Sequence, residues 1–281
     1  MDRVKIVTDS TADIPQELVD KYGIIVVPLK INFGKEVYRD GIDIKSNEFI
    51  ARLASDDILP VTSQPSPGEF VAVYEKIIAM KDIVISIHLS GQLSGTFQSA
   101  KTAKAMTDSR DIHIIDSKTV SMGLGLIVLA AAKAASEGAS TRDIITLINE
   151  KIDQCLVIFL VETLDFLEKG GRIGKASAFL GTLLKIKPIL TIEDGQIIPL
   201  ERVRGTNKAI ARITQLVNDR TDRSKRYNCS LVYGTDYPSI VVLGDQIKCV
   251  LNCPQPIISE LGPVVMAHAG PEVVGIAICP E

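Results

Sequence analysis

Between an apolar run, Asp82 to Leu89, and a helical one, Thr96 to Met106, lies a short loop of glycines and hydroxyls, Ser90 to Ser99 (SGQLSGTFQS). The free N–H groups and positive dipole end of a helix N-terminus favour a negative group, and glycine lets the backbone approach it closely. An anion is the ligand such a loop would take. The simpler alternative is that Ser94 or Thr96 only caps the helix, since such residues are the usual N-caps. A second hydroxyl cluster, Thr62 to Pro67 (TSQPSP), carries two prolines, and ordinary turn chemistry is its competing explanation. Asp9, Ser10 and Thr11 follow the first strand, and Asp116 and Ser117 end another, at the carboxyl strand ends where α/β folds bind ligands. There too a cap is the alternative, with Asp13 or Thr11 opening the next helix.

Cations and an imidazole complete the candidates. Gly170 and Gly171 break a helix beside Lys169 and Arg172, an arrangement suited to an anion or acidic partner and equally to a helix C-cap. In Glu201 to Gly205 (ERVRG), Arg202 and Arg204 share one strand face, where plain solvation is the other reading. His268, in Gly262 to Pro271 (GPVVMAHAGP), stands among small residues framed by Gly-Pro pairs and reads as facing a ligand. Absences narrow the chemistry. Gly171 to Ser177 (GRIGKAS) has Ala176 where a phosphate-binding Walker loop needs Ser or Thr, and Gly123 and Gly125 lack the third glycine of a dinucleotide fingerprint. Gly91 to Gly95 (GQLSG) has its serine one place too late for a nucleophile elbow.

The elements that must hold these groups follow from periodicity. Strands Val4 to Thr8, Ile24 to Ile31, Ile83 to Leu89 and Ile112 to Ile115 alternate with helices Pro15 to Tyr22, Phe70 to Met80, Thr96 to Met106 and Met122 to Ser136. That alternation predicts a mostly parallel α/β sheet. A turn glycine in Asn32 to Lys35, before Glu36 to Arg39, adds a β-ribbon expected to reach towards a neighbouring domain. Helix Thr141 to Gln154 precedes a buried-type strand, Cys155 to Glu162, so the domain boundary is placed near Gln154. Residues 1–154 are expected as an N-terminal α/β domain and 155–281 as a C-terminal α+β sheet domain. In the second, helices Leu164 to Lys169 and Lys175 to Leu184 precede a hairpin, Pro188 to Ile192 with Gln196 to Leu200, around Asp194-Gly195. Helix Lys208 to Thr221, strand Cys229 to Gly234, a helix through Leu251 and strands near Ile257 and Val273 to Ile278 complete it.

At 281 residues the chain exceeds the usual single-core limit of about 250, which fits two domains. Aromatic residues are 5% with no Trp, so the core is aliphatic and stacking on bases is poorly supplied. The net charge of -3 gives no basic footprint, and no nucleic-acid partner is expected. Met1 to Ser10 contains no long apolar segment, and Met122 to Ala135 is too short to span a bilayer. A cytoplasmic protein without an integral membrane segment is the expectation. The five cysteines lack framework spacing and are expected as buried free thiols, with Cys249 and Cys253 on one helix side but no second pair to make a metal site. His88 and His113 read as packed strand residues.

Taken in order, TDSTAD, TSQPSP, LSGTFQSA, IDSKTVSMGLG, TLDFLEKGGRIGKASA, IKPILTIEDG, ERVRG and GPVVMAHAGP resemble the DegV family of bacterial fatty-acid-binding proteins over nearly the whole chain. The resemblance implies two α/β domains holding one long-chain fatty acid between them. In several members that acid is presented to a separate kinase subunit, which phosphorylates its carboxylate with ATP for phospholipid synthesis. Carried onto this chain, it puts the carboxylate against Thr62 and Ser94, with His268 completing the network, and Arg172 and Arg204 near the carboxylate end where the kinase docks. It implies a carrier with no cofactor and no complete active site of its own. Met266, Ala267 and Glu272 depart from the family's usual residues, as does His88, and Met266 is expected to reshape the pocket. A serine-dependent hydrolase using Ser94 with His268, or a small-molecule phosphotransferase, is the alternative on the same fold; it needs an activated nucleophile or metal site that the sequence does not display.

Overall fold

The computed structural model describes residues 3–55, 59–181, 186–253 and 255–281. The first half runs β1 (Val4–Asp9), α1 (Gln16–Tyr22), β2 (Ile25–Val27), β3 (Lys30–Phe33), β4 (Glu36–Arg39), α2 (Ser46–Ser55), β5 (Val61–Ser63) and α3 (Pro67–Ile78). It continues through β6 (Ile83–His88), α4 (Thr96–Thr107), β7 (Ile112–Asp116), α5 (Met122–Ser136) and α6 (Thr141–Gln154). The parallel sheet predicted from the strand–helix alternation is present, in the order β2-β1-β6-β7. Neighbouring strand residues serve opposite faces. Val7 and Val84 pack under α3 and α4, while Ile6 and Ile85 pack under α5 and α6.

The expected single strand Ile24 to Ile31 is instead two, because Pro28 has no N–H for the ladder. β2 stays in the parallel sheet, and β3 leaves for a second, antiparallel sheet, β4-β3-β5. The Leu29 N–H, freed at this corner, donates to Ser10 Oγ at 3.0 Å. The predicted ribbon is therefore β3 and β4 plus β5, a strand of three residues too short to be read from sequence. α2 was equally unannounced by the pattern.

The second half runs β8 (Leu156–Leu160), α7 (Asp165–Lys169), β9 (Ile186–Glu193), β10 (Gln196–Arg204), α8 (Thr206–Arg220), β11 (Tyr227–Tyr233), α9 (Tyr237–Val250), β12 (Ile257–Glu260), α10 (Pro263–Ala269) and β13 (Val274–Pro280). Its strands form one mixed sheet, β10-β9-β8-β13-β11-β12, in which only β11 and β12 run parallel. The helix expected over Lys175 to Leu184 is a 3-10 turn, Gly174–Phe179, and its last residues lie outside those described. Gly174 takes a left-handed φ of 54°, and a Cβ there would come within 2.8 Å of the Ile197 carbonyl oxygen, so the segment is pressed onto β10. Cys249 ends exposed on α9, whereas Cys253 lies past the helix, buried with its Sγ 2.9 Å from that of Cys229. The helix face expected to carry both does not exist.

One face of the mixed sheet packs on α8 and α9. The other joins residues of the first half, among them Ile31, Phe49, Met122 and Leu126, in a shared aliphatic core with Val157, Leu190, Val232 and Ala277. α5 lies in that seam, and its glycines explain how. A Cβ on Gly123 would meet Val157 Cγ2 at 2.6 Å, and one on Gly125 would meet the Ala12 carbonyl oxygen at 2.7 Å.

Candidate functional site

A cavity in the shared core encloses about 860 Å³ of atom-free space, part of it open to solvent. The first half contributes Leu29, Leu89, Leu93 and Val120, and the second Val157, Phe159, Ile192, Ile197 and Ile276. Thr62, Ser94, Arg172 and His268 also line it, so a strand, two loops and a helix from distant parts of the sequence each bring a polar side chain to the same cavity. Two further hydroxyls on the wall, Thr11 and Ser121, already donate to carboxylates, Thr11 Oγ1 to Asp9 and Ser121 Oγ to Asp13, each at 2.6 Å.

Thr62 is fixed by β5, where it faces Ile31 across the ladder. Its Oγ1 meets His268 Nε2 at 2.7 Å. Nδ1 of His268 is buried without a partner, in contact with Gly170, where any Cβ would overlap it. Burial, and then the positive charge of Arg172, push the imidazole down to about 4, so it is neutral near pH 7. One nitrogen then carries a proton and the other a lone pair, and a carboxylate arriving beside it would favour the imidazolium. Arg172 spends two N–H groups on backbone carbonyls, Nε on Leu93 at 3.0 Å and Nη1 on Gly170 at 2.6 Å, which aims the guanidinium along the loop that carries Ser94. The helix C-cap reading of the paired glycines holds: Gly170 and Gly171 close α7 through bonds to Phe166 and Glu168, and Gly170 also leaves room for His268.

The hydroxyl loop is pinned from both halves. Ser90 donates its N–H to the Thr119 carbonyl and its Oγ to the Gly195 carbonyl, the latter in the β9–β10 turn. Ser94 Oγ lies 2.9 Å from Thr96 Oγ1 and accepts the Thr96 N–H at 3.3 Å, while Gly95, not Ser94, occupies the α4 N-cap. Gln64, from the TSQPSP segment, reaches this spot as well: a Cβ on Gly95 would stand 2.8 Å from its Nε2. Nothing in the spacing of the sequence announces Gln64 or the Gly170–His268 contact, because both depend on how separate loops meet.

Other candidates take different places. Arg204 is exposed at the end of β10 and is not part of the cavity wall, and Arg202 is held over the Phe179 ring and bonded to the Ala178 carbonyl. Asp116 holds its loop by accepting the Gly91 and Lys118 N–H groups. Met266 and Ala267 are packed in the core without lining the cavity, and Glu272 borders a separate surface hollow. The expectation that Met266 reshapes the pocket directly therefore has no contact behind it.

Neither possible hydrolase geometry is assembled. Ser94 and His268 share no hydrogen bond, since Nε2 is engaged by Thr62. A second array has the residue types, Ser86 Oγ to His88 Nε2 at 2.7 Å and His88 Nδ1 to Asp9 Oδ2 at 3.0 Å. All three are fully buried, and Ser86 already accepts from Tyr74 at 2.9 Å, so no substrate reaches them.

Comparison with known proteins agrees over the full length. A family model described as "Uncharacterised protein, DegV family" matches residues 3–281. A DegV domain-containing protein of Caldanaerobacter subterraneus subsp. tengcongensis is 38% identical over 277 residues, 98% of each chain. A solved structure reporting fatty acid binding of a DegV family protein from Thermus thermophilus superposes with a TM-score of 0.95 at 36% identity, covering 99% of this chain and 100% of that one. The structure of DegV from Bacillus subtilis, described as a fatty acid binding protein, superposes with a TM-score of 0.91 at 34% identity over 100% of both chains.

Proposed function

The chain belongs to the DegV family, and on that premise we propose that it binds one long-chain fatty acid in the cavity of the shared core, with the carboxylate against Thr62, Ser94, Arg172 and His268. The observation that carries the reading is that these four donors line one largely apolar cavity, with Thr62 bonded to His268 and Arg172 held at the loop of Ser94. A carboxylate leaving water costs several kcal/mol unless charged or hydroxyl donors meet it, and here a guanidinium, an imidazole and two hydroxyls stand ready. An acyl chain of about sixteen carbons, at roughly 0.8 kcal/mol per buried CH₂, contributes on the order of 12 kcal/mol before ordering costs. The fatty-acid-binding relatives support the same ligand class.

The protein acts as a carrier and not as an enzyme in its own right. It presents the carboxylate to a separate ATP-dependent fatty-acid kinase in the cytoplasm, with exposed Arg204 in the docking surface. Among the described residues no helix is long and apolar enough to cross a membrane, which is compatible with that location. The domain boundary near Gln154 belongs to this reading, as the cleft between residues 1–154 and 155–281 is where the acid lies.

The test is direct. Purified protein is denatured, extracted and analysed by mass spectrometry, and near-stoichiometric fatty acid is expected. An empty extract, together with no uptake of added fatty acid, would end the proposal.

A further inference from the structure

At the end of α10 remote from His268, two buried carboxylates from the first half hold the helix start. Asp13 Oδ1 accepts the Gly262 N–H at 3.0 Å, and Asp40 Oδ1 accepts the Val264 N–H at 3.4 Å. The same corner is tied twice more, by Ser259 Oγ donating to the Asp13 carbonyl and by Ser46 Oγ donating to the Leu261 carbonyl at 2.8 Å. Asp13 is itself fixed by Ser121 Oγ at 2.6 Å. Asp13 holds left-handed backbone, with φ of 50°, and Ser121 too has a positive φ, 54°. Non-glycine residues keep that conformation only where their surroundings over-determine it.

We propose that Asp13 and Asp40 are positioning residues for His268: by holding the corner 259–264 they set, through α10, where the imidazole meets Thr62 and the cavity. The inference rests on the reading of His268 as a carboxylate ligand. Its mechanical part is simple. From Gly262 to His268 is six residues, a rise of about 9 Å in a rigid helix. A shift at the start is therefore delivered to the ring. α10 is then bound to the first half at both ends, by Asp13 and Asp40 at its start and by Thr62 at its finish. Gly262 fits the same account, since a Cβ there would stand 2.9 Å from Asp13 Oδ1 and press the contact apart, although its φ of -72° suits alanine. Burial raises the proton affinity of both carboxylates, Asp40 to about 6.

Three variants, Asp13→Ala, Asp13→Asn and Gly262→Ala, test this with two readouts. Release of cis-parinaric acid, a fluorescent long-chain fatty acid, is followed by stopped flow. The ring signals of His268 are followed by NMR in protein labelled with nitrogen-15 histidine and assigned with His268→Gln. Asp13→Ala and Gly262→Ala are each expected to speed release about tenfold, through the lost or displaced Gly262–Asp13 hydrogen bond, and to move the His268 signals. Asp13→Asn keeps an oxygen for Gly262 and a group for Ser121, and is expected to restore both. Unmoved His268 signals in Gly262→Ala, or an Asn variant as damaged as the Ala variant, would overturn the proposal. Gly262→Ala carries the test if Asp13→Ala fails to fold. If wild-type protein takes up no fatty acid, the function proposed above fails, yet the His268 signals still decide whether the carboxylates position the ring.

Discussion

The two polar clusters at the ends of α10 are built from opposite chemistry, carboxylates at the start and a guanidinium, an imidazole and hydroxyls at the finish. At the start, Asp13 accepts from Ser121 and Gly262, and the demand of each hydroxyl and amide is met inside the protein. At the finish, His268 Nδ1 has no partner, and Arg172 and Ser94 stand on the wall of a cavity. The first is acceptor-rich, with Asp40 Oδ2 unpartnered beside a surface hollow, and the second is donor-rich on the wall of an apolar cavity. The difference teaches that unmet hydrogen-bonding capacity alone does not mark a site; donors gathered on an apolar cavity do.

The sharpest way to break the comparison is by pH, because the clusters titrate in opposite senses. His268 is held at about 4 against an ordinary 6.5, so the folded chain resists protonation that the unfolded chain accepts. Its contribution to stability is full above 6.5 and is lost as pH falls through 4. Asp40 is raised to about 6 from 3.8, so its contribution is full below 3.8 and is lost as pH rises through 6. Each is worth up to about 3 kcal/mol. Urea denaturation between these limits should show, relative to wild type, stability falling more steeply with rising pH in His268→Gln and rising more steeply with pH in Asp40→Asn. Parallel slopes in the two variants would erase the distinction.

Smaller effects sharpen it. Gly170→Ala fills the space beside Nδ1 and is expected to cost about 2 kcal/mol by overpacking, with fatty-acid binding lost more severely than stability. Equal losses of both would make Gly170 a packing residue alone. Ser94→Ala should weaken fatty-acid binding by about 1.5 kcal/mol, roughly tenfold, and leave the urea midpoint in place. Arg204→Ala, outside both clusters, should change stability by less than about 0.5 kcal/mol and leave lipid content intact while reducing acyl-phosphate formation with the kinase. Lipid loss in that variant would bring Arg204 into the donor-rich cluster.

The parallel sheet, the ribbon and the β9–β10 hairpin were legible because each rests on local signals: β-branched runs, a turn glycine, an Asp-Gly pair. Thr62, Ser94, Arg172 and His268 were legible as separate segments, and the cavity wall contains all four. Their neighbours were not. Pro28 was visible, yet that it would send two strands to different sheets depends on what each can pair with. Asp13 looked like a helix cap, but its partners Gly262 and Ser121 are more than a hundred residues away. α10 was unreadable for a related reason: seven residues carry too little periodicity to reveal a helix.

The glycines of α5 set a limit on how a ligand can enter. With backbone or Cβ-distance contact to Val157 on one flank and to Ala12 on the other, this helix has no slack for the two sheets to swing apart about it. Under the proposed function, exchange of an acyl chain would be a local event in the short pieces that line the cavity, the hydroxyl loop, α7 and α10, with α5 as a fixed axle. Amide exchange should stay slow and uniform along α5 during lipid turnover, and quicken only in those covers.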